Sequence, residues 1–335
     1  MEYRLLGRTG LRISRLGFGG IPIQRTTADE VVRLVHAMAD AGVNYIDTAR
    51  GYTVSEEYLG RALEGVRGRF VLATKSTSRT AGAMAADIDT SLRNLRTGHI
   101  ELYQLHNPSA QALEQCFAPG GAMEALRAAK QAGKIGHIGL TAHSLEVFEK
   151  ALELCEIETI MFPYNIVESQ GAELMARCTA KNVGFIAMKP LAGGAIEDGR
   201  LALRYILRNS DVTVAIPGMA TLKELEQNLS AAAETAPLSE AEQRAIQAVR
   251  GGLGQNFCRR CNYCAPCTAG IDIPSVFLFQ GYLRRYGLAD WARARYATLK
   301  AAAGDCVQCG ACETRCPYQL PIRRMMADAA ADFGR

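Results

Sequence analysis

Eight short apolar runs, separated by amphipathic stretches, constrain this chain more than any other feature of its sequence. The runs are Leu16–Gly20, Tyr45–Ala49, Phe70–Lys75, Ile100–His106, Ile135–His143, Thr159–Asn165, Gly184–Pro190 and Val212–Gly218. The intervening stretches carry apolar residues at three- and four-residue spacing, as in Val31, Leu34, Val35 and Met38, which is typical of helices. Eight strand–helix units predict a parallel sheet, and closure into a (β/α)8 (TIM) barrel removes its edges. A doubly wound sheet is disfavoured because no G-x-G-x-x-G motif follows the first run.

A hairpin is expected before the barrel. Tyr3–Leu6 and Leu11–Ser14 are apolar-rich segments that flank a turn containing Gly7 and Gly10. Such a pattern predicts two short antiparallel strands joined by a tight connection. We expect this hairpin to plug the floor of the barrel.

A glycine-rich segment marks the expected domain boundary. A capping motif at Ser239 predicts a helix that ends at Val249. The residues Gly251–Gly254 that follow predict a flexible junction. We therefore assign residues 1–250 to the barrel and residues 251–335 to a second domain.

Eight of the eleven cysteines lie in the second domain. The other three, Cys116, Cys155 and Cys178, lie in apolar stretches and are expected to be buried. The eight form two quartets, Cys258-x2-Cys261-x2-Cys264-x2-Cys267 and Cys306-x2-Cys309-x2-Cys312-x3-Cys316-Pro317. The second quartet has the bacterial ferredoxin spacing, in which the fourth cysteine binds the neighbouring cluster.

Two 4Fe–4S clusters with exchanged fourth ligands are therefore predicted, because the two halves form an internal repeat. The expected ligand sets are Cys258, Cys261, Cys264 and Cys316 for one cluster, and Cys306, Cys309, Cys312 and Cys267 for the other. Zinc is the alternative, but structural zinc usually takes paired cysteines separated by a longer loop. The helical pattern over Pro274–Leu299 makes this domain look like the α-helical dicluster ferredoxins.

Charge and hydropathy disfavour several classes of partner. Residues 251–335 carry 11 Lys and Arg against 6 Asp and Glu, whereas the rest of the chain carries 27 against 28. This positive excess offsets the negative charge of thiolate-bound clusters, and no nucleic-acid-binding module accompanies it, so we expect no nucleic-acid partner. The apolar runs are too short for a membrane span, and the N-terminus lacks a secretory signal. A cytoplasmic protein is expected.

Four polar residues follow three consecutive predicted strands at the barrel face where function is found. Asp47 ends the second apolar run, Tyr52 follows it, Lys75 ends the third run and His106 ends the fourth. Reduction of a carbonyl needs an acid, and a nearby ammonium favours ionisation of a phenol. Tyr52 is thus the expected proton donor and Lys75 its activator. Asp47 would hold the ammonium, and His106 would orient the carbonyl oxygen.

These segments, with several others, resemble the aldo-keto reductase superfamily. The similar segments are Asp47–Tyr52, Ser55–Gly60, Ala73–Lys75, Leu102–His106, Gly133–Gly139, Pro190–Gly194 and Ile216–Gly218. The resemblance covers nearly all of residues 1–235 and implies NAD(P)H-dependent reduction of an aldehyde or ketone. The residues it places at the pyrophosphate and adenosine ends of the cofactor are Pro190, Leu191, Gly193, Gly194, Gly218, Lys223 and Asn228.

The sequence departs from that family at the nicotinamide end. Where the family holds the carboxamide with a Ser-Asn pair and a Gln, this chain has Thr141, Ala142 and Met161. Thr141 is retained as a candidate contact, and His143 or Asn165 is the expected substitute for the missing amide.

The adenosine end also departs from NADPH-preferring members of the family. Gly218 and Glu224 stand where those members carry cations, and Lys223 is the only cation nearby in the sequence. Because a carboxylate repels the 2′-phosphate, we expect a preference for NADH or only a weak preference.

The sequence therefore predicts an iron–sulfur aldo-keto reductase that acts reversibly on a small carbonyl substrate. The alternative is an electron-transfer or interaction subunit whose barrel binds a nucleotide without reducing carbonyls, which the altered carboxamide contacts favour. The clusters either exchange electrons with a protein partner or have a structural or oxygen-sensing role, and the sequence leaves both open. Substrate identity depends on loops such as Asn107–Gly121 and is not predicted.

Overall fold

The computed structural model describes residues 1–335, which form two compact units. The first comprises residues 1–191 and 198–238, and the second comprises residues 192–197 and 239–335. The helix that begins after Ser239 therefore belongs to the second unit by its contacts, although we assigned it to the barrel domain.

In the first unit, eight parallel strands lie side by side in chain order. They are β3 (Phe18–Gly19), β4 (Tyr45–Asp47), β5 (Val71–Ser76), β6 (Ile100–His106), β7 (Ile135–Thr141), β8 (Thr159–Pro163), β9 (Gly184–Met188) and β10 (Val214–Ile216). Parallel bridges from Leu16 to Ala215 and from Gly19 to Gly218 join the first strand to the last. The predicted (β/α)8 barrel is confirmed, and each strand overlaps the apolar run that predicted it.

Nine helices accompany these strands. They are α1 (Ala28–Asp40), α2 (Ser55–Ala62), α3 (Ala81–Asn94), α4 (Ala110–Phe117), α5 (Ala122–Gln131), α6 (Leu145–Leu152), α7 (Ala172–Ala180), α8 (Gly199–Leu207) and α9 (Leu222–Ala233). Short 3-10 helices add Gly7–Thr9, Pro22–Arg25 and Arg67–Arg69. Cys116 and Cys178 are buried as expected, whereas Cys155 is exposed because it lies in the turn after α6.

Side chains fill the barrel interior. The inward-facing cluster includes Tyr45, Ala73, Leu102, Met161, Ile186 and Val214. The predicted hairpin, β1 (Tyr3–Leu5) and β2 (Arg12–Ser14), adds Leu6 and Ile13 to this cluster. Its turn needs glycine at position 7, where φ is +53° and a Cβ atom would lie 2.2 Å from the nitrogen of Gly184.

Strand periodicity carries three polar side chains into this interior. Side chains on a strand alternate between its two faces. Asp47, Lys75 and Gln104 each lie two residues beyond an inward-facing apolar residue on β4, β5 and β6. They therefore point inward at the carboxyl end of the barrel, above its apolar core.

The second unit is helical. Its helices are α10 (Glu240–Gly254), α11 (Ile273–Arg284), α12 (Ala289–Tyr296), α13 (Ala311–Arg315) and α14 (Ile322–Phe333), and a 3-10 helix spans Ala303–Asp305. Val276, Tyr296, Met326 and Ala329 are buried in its core. The helix expected over Pro274–Leu299 is divided between α11 and α12. No helix of the chain combines the length and apolar character that a membrane crossing needs.

The predicted flexible junction at Gly251–Gly254 is wrong, because these residues form the last turn of α10. A glycine costs about 1 kcal/mol relative to alanine in a helix, which tertiary contacts can outweigh. Here the guanidinium of Arg259, which is 7% exposed, donates to the carbonyl oxygens of Gly254 at 2.9 Å and Phe257 at 3.1 Å. These bonds fix the end of the helix.

Candidate functional site

Asp47, Tyr52, Lys75 and His106 come together at the carboxyl end of the barrel. The Lys75 ammonium donates to Asp47 Oδ1 and, at 2.8 Å, to the carbonyl oxygen of Thr48. The same nitrogen lies over the Tyr52 ring, 5.0 Å from its centroid. The His106 ring meets the Tyr52 ring edge to face, with the centroids 6.1 Å apart. All four residues predicted from the strand ends are therefore neighbours.

Lys75 and Asp47 are each 2% exposed, so their charges depend on one another. Burial lowers the pKa of Lys75, and the Asp47 carboxylate opposes that shift. Burial raises the pKa of Asp47, and Lys75 and Gln104 oppose that shift. Removing either partner would favour the neutral form of the other.

Gln104 is a site residue that the sequence analysis missed. Its Nε2 donates to Asp47 Oδ2 at 2.9 Å, so both carboxylate oxygens of Asp47 accept a hydrogen bond. Gln104 is fully buried and stands opposite Lys75 in the register of β5 and β6. The available signal was an amide at an inward-facing position two residues before His106, between the apolar residues Tyr103 and Leu105.

A buried carboxylate holds the loop that carries Tyr52. Glu56 is 1% exposed, and its Oε1 accepts hydrogen bonds from Thr74 and Ser91 at 2.8 Å. Its Oε2 accepts from Arg50 at 2.5 Å, which ties the loop before Tyr52 to the same group. After Tyr52, the backbone N–H of residue 55 donates to the Tyr52 carbonyl oxygen at 2.8 Å. The backbone that carries Tyr52 is thus held on both sides of this residue.

Thr141 and His143, two of the residues predicted at the nicotinamide end, contact Asn107, which follows His106 in the chain. The backbone N–H of Asn107 donates to Thr141 Oγ1 at 2.9 Å. The Oδ1 atom of Asn107 lies 3.1 Å from His143 Nδ1. Thr141 and His143 are therefore connected to the loop that follows the predicted carbonyl partner.

Asn165 does not fit its expected contact with the carboxamide. Its Nδ2 donates to Glu168 Oε2 at 2.8 Å and to the carbonyl oxygen of Lys189 at 2.9 Å. Its Oδ1 accepts from the backbone N–H groups of Val167 and Glu168. With both amide protons used and no exposed surface, Asn165 stabilises the turn after β8 instead.

The expectation that Lys223 is the only cation at the predicted adenosine end is wrong. Arg25 Nη2 lies 3.4 Å from Glu224 Oε1, although the two residues are far apart in sequence. Gly218 has a structural reason to be glycine, because a Cβ atom there would lie 2.6 Å from Pro22 Cγ. Asn228 is buried on α9.

The residues predicted to lie against the pyrophosphate are divided between the two units. Pro190 and Leu191 belong to the first, and Gly193 and Gly194 belong to the second. Both glycines have positive φ values, 66° and 80°. Within the second unit, Arg285 Nε donates to the Gly193 carbonyl oxygen at 2.9 Å. Contact of these residues with a pyrophosphate stays a prediction.

Two cavities in the second unit are each lined by four cysteines. The lining of one cavity includes Cys258, Cys261, Cys264 and Cys316. The lining of the other includes Cys267, Cys306, Cys309 and Cys312. The thiols are thus grouped as in the cross-paired sets.

The thiols of the two cavities differ in their surroundings. Burial raises the pKa of Cys258 to about 11 and that of Cys264 to about 12. At exposed Cys309, hydrogen bonds from Thr268 and the backbone of Ala311 lower the pKa instead. Thiolate ligation at the buried positions therefore depends on the positive charge of the metal.

Comparison with known proteins agrees with both halves of this description. The family model "Aldo/keto reductase family" matches residues 15–200, which is more than half of the chain. The chain belongs to the aldo/keto reductase family. A second model, "4Fe-4S dicluster domain", matches residues 257–321. The protein is thus an NAD(P)H oxidoreductase of aldo-keto reductase type with an iron–sulfur domain.

Individual relatives of this aldo-keto reductase match about 70% of the chain. L-galactose dehydrogenase of Arabidopsis thaliana is 27% identical over 285 residues, which cover 70% of this chain and 89% of that protein. 6-dehydroglucose reductase of Novosphingobium aromaticivorans is 27% identical over 255 residues, covering 68% and 80%. The solved structure of an aldo-keto reductase from Bacillus halodurans in its holo form has a TM-score of 0.65 and 26% identity, covering 74% and 96%.

Replacing Lys75 by Met should lower the free energy of unfolding by about 3–5 kcal/mol at neutral pH, because Asp47 loses its counter-ion while it stays buried. In this variant the folded-state pKa of Asp47 lies above its unfolded value, so the folded state holds the proton more tightly. The penalty should therefore be smaller near about pH 5 and grow as the pH rises through that pKa. Urea unfolding followed by circular dichroism at both pH values measures this. As a control, Asp47→Asn combined with Lys75→Met should restore much of the loss, and an equal loss in both variants at both pH values would contradict the prediction.

Proposed function

We propose that this aldo-keto reductase reduces an aldehyde or ketone reversibly with NAD(P)H, with Tyr52 as the proton donor. The observation that carries the proposal is the single ammonium of Lys75, which bonds to buried Asp47 and lies 5.0 Å from the centre of the Tyr52 ring. A buried cation beside a phenol favours the phenolate and so makes the phenol a better acid near neutral pH. No metal ion is needed for this step.

In this mechanism a bound NAD(P)H supplies the hydride. The Tyr52 hydroxyl delivers a proton to the carbonyl oxygen as negative charge develops there. Lys75 stabilises the resulting phenolate, and Asp47, held by Gln104, keeps Lys75 charged. His106 hydrogen-bonds the carbonyl oxygen and orients it. In the reverse direction the phenolate of Tyr52 takes the proton from an alcohol.

Thr141 and His143 are the proposed contacts for the nicotinamide end of the cofactor. Both lie within hydrogen-bond distance of Asn107, the residue that follows His106. Asn165 is left out because its amide protons are already bonded. Pro190, Leu191 and Gly218 stay candidates for the remaining length of the cofactor.

We further propose that the second unit holds two 4Fe–4S clusters in its two cysteine-lined cavities. Each set of four thiols combines three from one half of the repeat with one from the other. Clusters of this kind transfer single electrons when bound. The arginines of this unit would offset the negative charge that the thiolates bring.

The Tyr52→Phe variant should lose at least about 100-fold in kcat for carbonyl reduction, because the proton donor is gone. Tyr58→Phe, which removes a phenol from α2 in the same region, should keep full activity. The assay follows NADH and NADPH consumption with a panel of aldehydes and ketones that includes sugar-derived compounds, since two relatives are named for sugar substrates. If both the unmodified protein and Tyr52→Phe bind nucleotide but reduce none of these aldehydes and ketones, the alternative role as an electron-transfer subunit would be favoured instead.

NADPH should bind no more tightly than NADH, because the Glu224 carboxylate lies at the proposed position of the 2′-phosphate and partly neutralises Arg25. Glu224→Gln should tighten NADPH binding by up to about tenfold, or about 1.4 kcal/mol, and leave NADH unchanged. Glu226→Gln, an exposed neighbour on α9, is the matched control. Fluorescence titrations with NADH and NADPH give the dissociation constants of all three proteins, and a large NADPH advantage in the unmodified protein would refute the proposal.

Cys316→Ser should lose the same cluster as Cys258→Ser, although Cys316 follows the other cysteine triplet in sequence. Each variant should retain about half of the iron and acid-labile sulfide, and the two residual EPR spectra should match. Cys312→Ser is the control and should leave the other spectrum. If Cys316→Ser resembled Cys312→Ser, the cross-paired assignment would be wrong.

A further inference from the structure

The two cysteine quartets differ in how they meet solvent. Cys309 is exposed, and the neighbouring Val307 has 66% of its surface exposed, more than any other large apolar side chain of this unit. Cys258, Cys261 and Cys316 are only partly exposed, and Cys264 is buried. The quartet that includes Cys309 is therefore the more accessible from outside the unit.

One side chain distinguishes the two quartets chemically. The Oγ1 of Thr268 lies 3.2 Å from the Sγ of Cys309, within hydrogen-bond distance of sulfur. A ligating cysteine is a thiolate without a proton, so the threonine hydroxyl must be the donor. The bond crosses from one half of the repeat to the other, since Thr268 follows Cys267.

The corresponding position in the other half cannot provide such a donor. Cys316 is followed by Pro317, which has neither a hydroxyl nor a backbone N–H. Thr268 stands where the bacterial ferredoxin pattern also carries proline. The departure from that pattern therefore adds a hydrogen bond to one quartet alone.

We propose that Thr268 raises the reduction potential of the cluster held by Cys267, Cys306, Cys309 and Cys312. A donor to the sulfur stabilises the more negative, reduced cluster, so the potential rises. The inference rests on the proposed cluster assignment and goes beyond it.

Ile273 lines both cysteine cavities, so one side chain stands between the two sets of thiols. The Thr268 hydroxyl contacts only one of these sets, so the two clusters should differ in reduction potential.

The test measures the reduction potential of each cluster in the full chain by an EPR-monitored redox titration. In Thr268→Val, one midpoint should become more negative, with reduction disfavoured by about tenfold, or 59 mV for a one-electron couple. The other midpoint should not move. Thr268→Ser keeps the hydroxyl and should retain both potentials. Thr298→Val, which removes an exposed hydroxyl bonded to a carbonyl oxygen, should change neither.

The outcomes separate this inference from the cluster assignment. Iron and sulfide near the full amount, with the potentials unmoved in Thr268→Val, would overturn the role of Thr268. Protein prepared without oxygen that contains no sulfide would overturn the clusters themselves, and this proposal with them.

Discussion

The site in the barrel depends on one buried ion pair, that of Lys75 and Asp47. Taking two charges out of water costs several kcal/mol for each, and the cost is recovered only where geometry and further hydrogen bonds are favourable. Three neighbouring strands meet that requirement, because β4, β5 and β6 present Asp47, Lys75 and Gln104 to the same interior. A shift of one residue in the register of any of them would turn its side chain outward. The barrel is therefore the reason that the pair can exist.

Much of the barrel could be predicted because its strands are buried on both faces. Such strands appear as continuous apolar runs, and the residue at the end of each run, such as Asp47 or Lys75, is conspicuous by its charge. Gln104 was harder to find, since one uncharged amide inside an apolar run carries a weak signal. Arg25 could not be paired with Glu224 from the sequence, because only the closed barrel brings these residues together.

Two predictions failed because local composition was outweighed by contacts from elsewhere in the chain. The glycines before residue 255 indicated a junction, but Arg259 completes the end of their helix. Asn165 was a reasonable amide for a cofactor, yet the turn after β8 uses all of its donors. In both cases the deciding hydrogen bonds have no periodicity or motif by which the sequence could reveal them. The grouping of the cysteines, by contrast, follows from their spacing and from the repeat.

Each cysteine-lined cavity draws on both halves of the repeat, and this has a consequence for the integrity of the polypeptide. A fragment that stopped before residue 300 would keep Cys258, Cys261, Cys264 and Cys267. It would complete neither cavity, although it would still contain four of the eight cavity-lining thiols. A proteolytic nick with loss of either piece would thus disable both centres at once. The two halves of the repeat can therefore be moved to another protein, or lost, only together.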